Sequence, residues 1–127
     1  MKFCTAVNCM DGRIQSAVIS YLQKRFNRPF VDMITEPGPN KILAEQTNSV
    51  LIDSILSRLN ISVKNHQSRQ IAVVGHYDCA GNPAPKEIQL EHIKQSVEFL
   101  SKKYPETQVI GLWVNEHWQV EELPQST

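Results

Sequence analysis

The segment Gln70 to Gly75 contains Ile71-Ala72-Val73-Val74, four apolar residues in a row with no polar alternation. Successive side chains of a strand point to opposite faces, so a strand that is apolar on both faces must be covered on both. That is the pattern of the interior of a parallel sheet. Related runs at Lys2 to Val7, Phe30 to Thr35 and Gln108 to Asn115 predict three more strands, and Trp118 to Leu123 predicts a short fifth one.

Between these runs lie stretches with helical periodicity. From Arg13 to Phe26 the residues Ile14, Ala17, Val18, Tyr21 and Leu22 fall on one helix face. Lys41 to Leu59 carries Leu51, Ile52, Ile55, Leu56 and Leu59 on one side, and Lys86 to Lys102 repeats Leu90, Ile93, Val97 and Leu100. Glu36-Pro37-Gly38-Pro39-Asn40 reads as a loop. Strands that alternate with helices imply βαβ units and right-handed crossovers. The prediction is an α/β fold: a single domain over residues 1–127, with a mainly parallel open sheet of four to five strands in the order 2-1-3-4 and helices on both faces. A chain of 127 residues buries roughly two-thirds of its unfolded surface, enough for one core without disulfides.

Charge narrows the partners. Thirteen Lys and Arg balance thirteen Asp and Glu, which argues against nucleic acid, whose phosphates demand a basic surplus. No run approaches the ~18 to 20 apolar residues of a membrane span, and Asn8 and Asp11-Gly12-Arg13 interrupt any signal-peptide core, so the expectation is a cytoplasmic protein. Cys4, Cys9 and Cys79 are an odd number. On one strand Cys4 and Cys9 would lie ~16 Å apart on opposite faces, at ~3.3 Å per residue, beyond the ~7 Å limit of a disulfide. Metal binding or a free thiol is the better question.

In open parallel sheets the ligand crevice lies beyond the carboxyl ends of the strands. The segments there are Cys9-Met10-Asp11-Gly12-Arg13 and His76-Tyr77-Asp78-Cys79. With the first and third strands adjacent, Cys9, His76 and Cys79 converge. Two thiolates and an imidazole suit Zn2+, with a fourth position left for water or a carboxylate. The plainer alternative for Cys9 and Cys79 is a pair of buried inert thiols. Asp11 also fits a helix N-cap, and Arg13 a solvated helix residue. Cys4 belongs to the core. Asp78, His66, His92 and His117 are expected at the surface, Gly81-Asn82-Pro83 in a turn, and Trp113 and Trp118 in the core or an interface.

The pair C-x-D-x-R, at Cys9, Asp11 and Arg13, and H-x-x-C, at His76 and Cys79, resembles the β-class carbonic anhydrases. The resemblance implies that Cys9, His76 and Cys79 bind zinc and that Asp11 and Arg13 form a catalytic dyad. It implies a lyase in which zinc lowers the pKa of bound water to about 7, giving hydroxide that hydrates carbon dioxide to bicarbonate. Asp11 would accept the hydrogen bond of that hydroxide, while Arg13 keeps the carboxylate ionised and off the metal. Where that pairing is lost in the family, the aspartate ligates zinc. This sequence departs from the family pattern at Gly12, where serine is usual, and at Ala80, where glycine is usual. Glu36 to Asn40 stands in place of an Arg-Asn-Ala-Gly stretch, and only Met1 precedes the first strand where relatives carry a helical arm.

Competing readings are a hydrolase of carbonyl sulfide or carbon disulfide, and a zinc-holding or regulatory protein without turnover. A metal-free redox thiol has neither a C-x-x-C pair nor a C-x5-R loop behind it. An unpaired sheet edge, together with the resemblance, leads to the expectation of a homodimer with the zinc crevice near its interface. Ile110 to Val114, Trp113 and Trp118 would serve either that interface or the core.

Overall fold

In the computed structural model, which describes residues 1–125, β1 (Phe3–Cys9) and β3 (Gln70–His76) lie side by side at the centre of one five-stranded sheet. Both are buried along nearly their whole length. They pair in parallel, with Thr5 opposite Ile71 and Val7 opposite Val73. β2 (Phe30–Glu36) lies outside β1, and β4 (Gln108–Val114) outside β3, both parallel. β5 (Val120–Glu122) adds to β4 in antiparallel fashion, so the order is 2-1-3-4-5. This is the predicted order with the fifth strand at its edge.

The central strands are apolar throughout because each face has its own helical cover. On one face α1 (Gln15–Phe26) packs Val18, Leu22 and Phe26 against Cys4, Ala6, Ala72, Val74, Ile110 and Leu112. On the other face Leu43 of α2 (Pro39–Glu45), Ile52, Ile55 and Leu59 of α3 (Ser49–Asn60) and Leu100 of α4 (Lys86–Lys103) meet Val7, Ile34, Ile71, Val73 and Val109. Alternate residues of one strand thus enter different clusters, as the period of two requires. Trp113 and the run Ile110 to Val114 are buried within the chain, which decides their role for the core.

Three expectations need correction. The stretch Lys41 to Leu59 is two helices, not one. Gln46 closes α2 in the left-handed conformation at φ 56°, and Asn48 caps α3 by accepting the Leu51 N–H at 3.1 Å. The stretch Glu36 to Asn40 is not all loop, because Glu36 ends β2 and Pro39 opens α2, where its fixed φ and missing N–H do no harm. The buried stripe of α4 is Gln89, Ile93, Ser96 and Leu100, turned from the predicted one, and Leu90 and Val97 are only half-buried. The reason for burying two polar residues lies at the carboxyl end of the sheet.

Candidate metal centre

β1 and β3 run parallel and end together, Cys9 being the last residue of one and His76 of the other. Beyond them the Tyr77 N–H donates to the Val114 carbonyl at 2.9 Å, and Asp78, at φ 57°, turns the chain back toward β1. The turn carries Cys79 Sγ to 3.8 Å from Cys9 Sγ. The two sulfurs and a His76 ring nitrogen all lie within 4.8 Å of one another, and all three residues are buried.

The donor set fits a tetrahedral zinc ion on two counts. Zinc–sulfur bonds of ~2.3 Å at a tetrahedral angle put two sulfurs about 3.8 Å apart, which is the separation here. His76 Nδ1 lies 2.8 Å from the Tyr77 carbonyl, which can only accept, so Nδ1 carries the proton and Nε2 keeps its lone pair. That Nε2 is buried with no hydrogen-bond partner, an arrangement costly for a polar atom unless something else binds it.

The surrounding backbone is arranged for thiolates. Backbone N–H groups of Gly38 and Asp11 favour the ionised form of Cys9, and those of Gly81 and Asn82 favour that of Cys79. A hydrogen bond from the Cys79 thiol pulls Cys9 down against the opposing effect of burial, and Cys79, which keeps the shared proton, is pushed up by the same contact. The geometry needs two glycines. Gly38 has φ 59°, and a Cβ built on Gly81 would stand 2.7 Å from the Gly38 nitrogen, so the two loops approach as only glycine allows.

Beside the sulfurs, Asp11 faces Arg13. Asp11 Oδ1 accepts from the Arg13 backbone N–H at 2.9 Å and from Nε at 3.1 Å, and Oδ2 accepts from Nη2 at 2.7 Å. The guanidinium holds the Asp11 carboxyl down at about 2. Arg13 also donates to Asp78, from Nη1 to Oδ2 at 3.2 Å and from Nη2 to the backbone carbonyl at 3.0 Å. Gln15 Nε2 ties the loop down by donating to the carbonyls of Cys9 and Asp11, both at 2.8 Å. Asp11 is not the cap of α1, whose N-cap position is Ile14.

The five predicted site residues therefore come together. Cys4 lies in the core, and burial pushes its thiol up to about 11. His66 and His117 are exposed, with Asp32 and Glu116 as their partners, while His92 is half-buried against Asn82 at 3.0 Å. Asp78 is exposed as expected, yet it is a partner of Arg13. Trp118 lies over the Arg13 guanidinium, with Cζ 4.7 Å from the ring centroid, and so belongs to the site as well as to the edge of the core.

Gln89 is the residue that sequence reasoning missed. Its Nε2 donates to the carbonyls of His76 at 2.8 Å and Asn82 at 3.2 Å, and its Oε1 accepts from the His76 N–H and from Asn40 Nδ2, both at 3.3 Å. Gly75 makes room for it, since a Cβ there would stand 2.9 Å from Oε1. One buried amide thus joins β3, the Cys79 loop and α2. Ser96, one helical repeat further along α4, donates to the Asn40 carbonyl at 2.9 Å. The signal was available in part, because Gln89 and Ser96 stand at i−4 and i+3 from Ile93 on one helix face.

Residues 1–124 match the family described as "Putative carbonic anhydrase". The chain belongs to the carbonic anhydrase family. Solved structures of similar fold include a carbonic anhydrase from Glaciozyma antarctica, at TM-score 0.63 and 19% identity over 93% of this chain and 80% of that one. Another is one of two tetrameric β-carbonic anhydrases from Sordaria macrospora, at TM-score 0.62 and 12% identity over 99% and 82%. A β-carbonic anhydrase of Aspergillus fumigatus aligns at TM-score 0.61 and 10% identity over 98% and 90%. No curated protein matches by sequence. At these identities the structural likeness to other carbonic anhydrases is one of fold, and the α/β sheet with its 2-1-3-4-5 order is what they share. Among the described residues no helix is long and apolar enough to cross a membrane.

Proposed function

We propose that this protein is a zinc-dependent lyase that interconverts carbon dioxide and bicarbonate, with Cys9, His76 and Cys79 holding the metal and Asp11 and Arg13 acting beside it. The observation that carries the reading is the orphaned His76 Nε2, buried within 4.8 Å of two sulfurs spaced as tetrahedral ligands are. When bound, zinc supplies a Lewis acid and a water acidic enough to ionise near neutral pH.

The chain supplies the rest. With metal bound, Cys9 and Cys79 would both be thiolates, the shared proton having been released, and the nearby backbone N–H groups favour that charge. Asp11, ionised throughout the working range, offers Oδ2 as a hydrogen-bond acceptor on the side of His76 Nε2. It orients a proton-bearing nucleophile and does not itself supply a proton. Arg13 keeps that carboxylate turned aside. A cavity between Arg13, Asp78 and Cys79 is walled on its other side by Ala80, Pro83 and Ala84, side chains that suit a small neutral substrate.

Metal analysis joined to stopped-flow hydration at several pH values tests this. The expected result is one zinc per chain and a hydration rate that rises with pH through about 7. Protein that is metal-free when purified without chelators, or zinc-loaded protein inert toward carbon dioxide, would overturn it. Zinc-loaded protein that instead hydrolyses carbonyl sulfide would reassign the substrate.

A further inference from the structure

We infer that Trp118 is a positioning residue for the Asp11–Arg13 pair: its indole closes one face of the guanidinium and so holds Asp11 on Arg13 and off the metal position. This rests on the reading of the pair given above.

A guanidinium has five N–H donors around its edge and two bare faces. Around the edge of Arg13, Nε and Nη2 go to Asp11, and Nη1 and Nη2 go to Asp78. The Asp78 side of this edge is wet, with the Arg13 side chain 44% exposed and that of Asp78 68%, while Asp11 is 19% exposed. The exposed pair with Asp78 restrains the guanidinium weakly, because water competes for the donors on that side. The face is a separate matter. Trp118 covers it at 4.7 Å, an arrangement in which the ring's electron-rich face attracts the cation and keeps water off it.

The indole is itself held from several sides. Trp118 lies in the turn between β4 and β5 with φ 59°, a left-handed conformation uncommon for a bulky side chain. Asn115 over-determines that turn. Its carbonyl accepts the Trp118 N–H at 2.9 Å, and its Oδ1 accepts the N–H groups of His117 at 2.9 Å and Gln119 at 3.1 Å. Asn115 Nδ2 is anchored on Glu121 at 2.7 Å, and Tyr77 meets the indole edge-on at 6.4 Å. A strained residue persists only where its surroundings enforce it, and such residues gather at functional sites. Here the enforced conformation puts the ring over the one cation that restrains Asp11.

The consequence follows from Asp11 Oδ2, which lies 4.0 Å from His76 Nε2. With the face of Arg13 open, solvent can draw the guanidinium away, and the freed carboxylate is then the nearest additional ligand for the metal. Trp118 therefore biases Asp11 toward its outward, Arg13-bound position.

Two conservative variants test this, because both keep bulk at the edge of the core: Trp118→Phe retains an aromatic face and Trp118→Leu does not. The first readout needs no metal. In the wild type the Arg13 Nε–H proton resonance should be shifted upfield by the ring and slow to exchange. Trp118→Phe should keep most of that shift and Trp118→Leu should lose it. The second readout is the visible spectrum of the cobalt-substituted protein, which reports the ligand set. Trp118→Leu should move toward the spectrum of Arg13→Ala, and Trp118→Phe should stay with the wild type. If Trp118→Leu leaves both readouts unchanged while Arg13→Ala alters the spectrum, the inference is wrong and the dyad reading stands. If Arg13→Ala leaves the spectrum unchanged, the dyad reading itself fails, and the proposed consequence for Asp11 fails with it. An equal loss of thermal stability in both variants with no change at Arg13 would reduce Trp118 to a packing role and overturn the inference.

Discussion

Asp11 Oδ2 stands 4.0 Å from His76 Nε2, and no hydrogen bond joins the two. Nε2 keeps its lone pair and Asp11 is ionised, so the ring offers the carboxylate no proton, and both Asp11 oxygens go instead to Arg13. The arrangement keeps a carboxylate 4.0 Å from a candidate metal ligand and restrains it by a single cation.

Arg13→Ala removes that restraint. In metal-free protein Asp11 should then return from about 2 toward the ordinary carboxylate range, and in zinc-loaded protein it is free to turn to the metal. Hydration should fall by about a hundredfold or more, the range expected when a positioned proton-handling group is lost. Stopped-flow assays from about pH 6 to 9, the window around the pKa of zinc-bound water, check it. Undiminished activity across that range would exclude the dyad.

Gln89→Leu should weaken metal binding by about 10- to 100-fold, the usual cost of losing an outer-shell partner. It should also cost about 1–3 kcal/mol of stability, because the buried N–H and carbonyl of His76 lose their partner. Chelator competition measures the first and urea unfolding of metal-free protein the second. Affinity at the wild-type level would mean that the strand end is held in place without this amide.

Glu122 supplies a pH dependence remote from the metal. Burial alone would raise its pKa, but hydrogen bonds from Arg25 Nε at 2.9 Å and the Tyr21 hydroxyl at 2.5 Å outweigh it and hold the carboxyl below its ordinary value. A carboxylate depressed in the folded state stabilises above its unfolded pKa of about 4.3, and that contribution is lost as pH falls through the folded value. Glu122→Gln should therefore be less stable than wild type by about 1 kcal/mol at neutral pH, discounted for the partly exposed Arg25. Thermal melts at successively lower pH should show the gap closing in acid, and a gap independent of pH would rule out the linkage.

Among the described residues β2 has a neighbouring strand on one side only, and Phe30 at its start is half exposed. An unpaired edge of seven residues invites a second copy of the chain. Sedimentation at micromolar concentration should give a species of twice 14.5 kDa, and Phe30→Lys should shift it toward monomer. A fully active monomer would remove the dimer from the reading.

The βαβ pattern was legible because each strand and helix writes its burial into its own few residues. Ile71 to Val74 announced a covered strand, and Ile14 to Leu22 a helix face. The break between α2 and α3 was not legible. It rests on a left-handed Gln46 and on Asn48 accepting the Leu51 N–H, and neither residue type forbids a continuous helix. The turned face of α4 was hidden for a different reason. Leu90 and Val97 are the better apolar residues, but the groups beneath the helix are backbone carbonyls, that of His76 at the end of β3 and that of Asn40 in α2, which Gln89 and Ser96 satisfy.

By itself the sequence determined the order and type of the main elements and brought forward Cys9, His76 and Cys79 as candidate ligands, because their donor chemistry is local. That β1 and β3 are neighbours, so that the three converge, is a fact of the sheet order. Only the tertiary structure decided that Gln89 holds the His76 strand end, that Asp78 joins the Arg13 pair and that Trp118 covers it. Each of these contacts joins residues far apart in the chain, 65 positions in the case of Arg13 and Asp78. Periodicity reports which side of an element is buried. It does not report which distant polar group waits there to be satisfied.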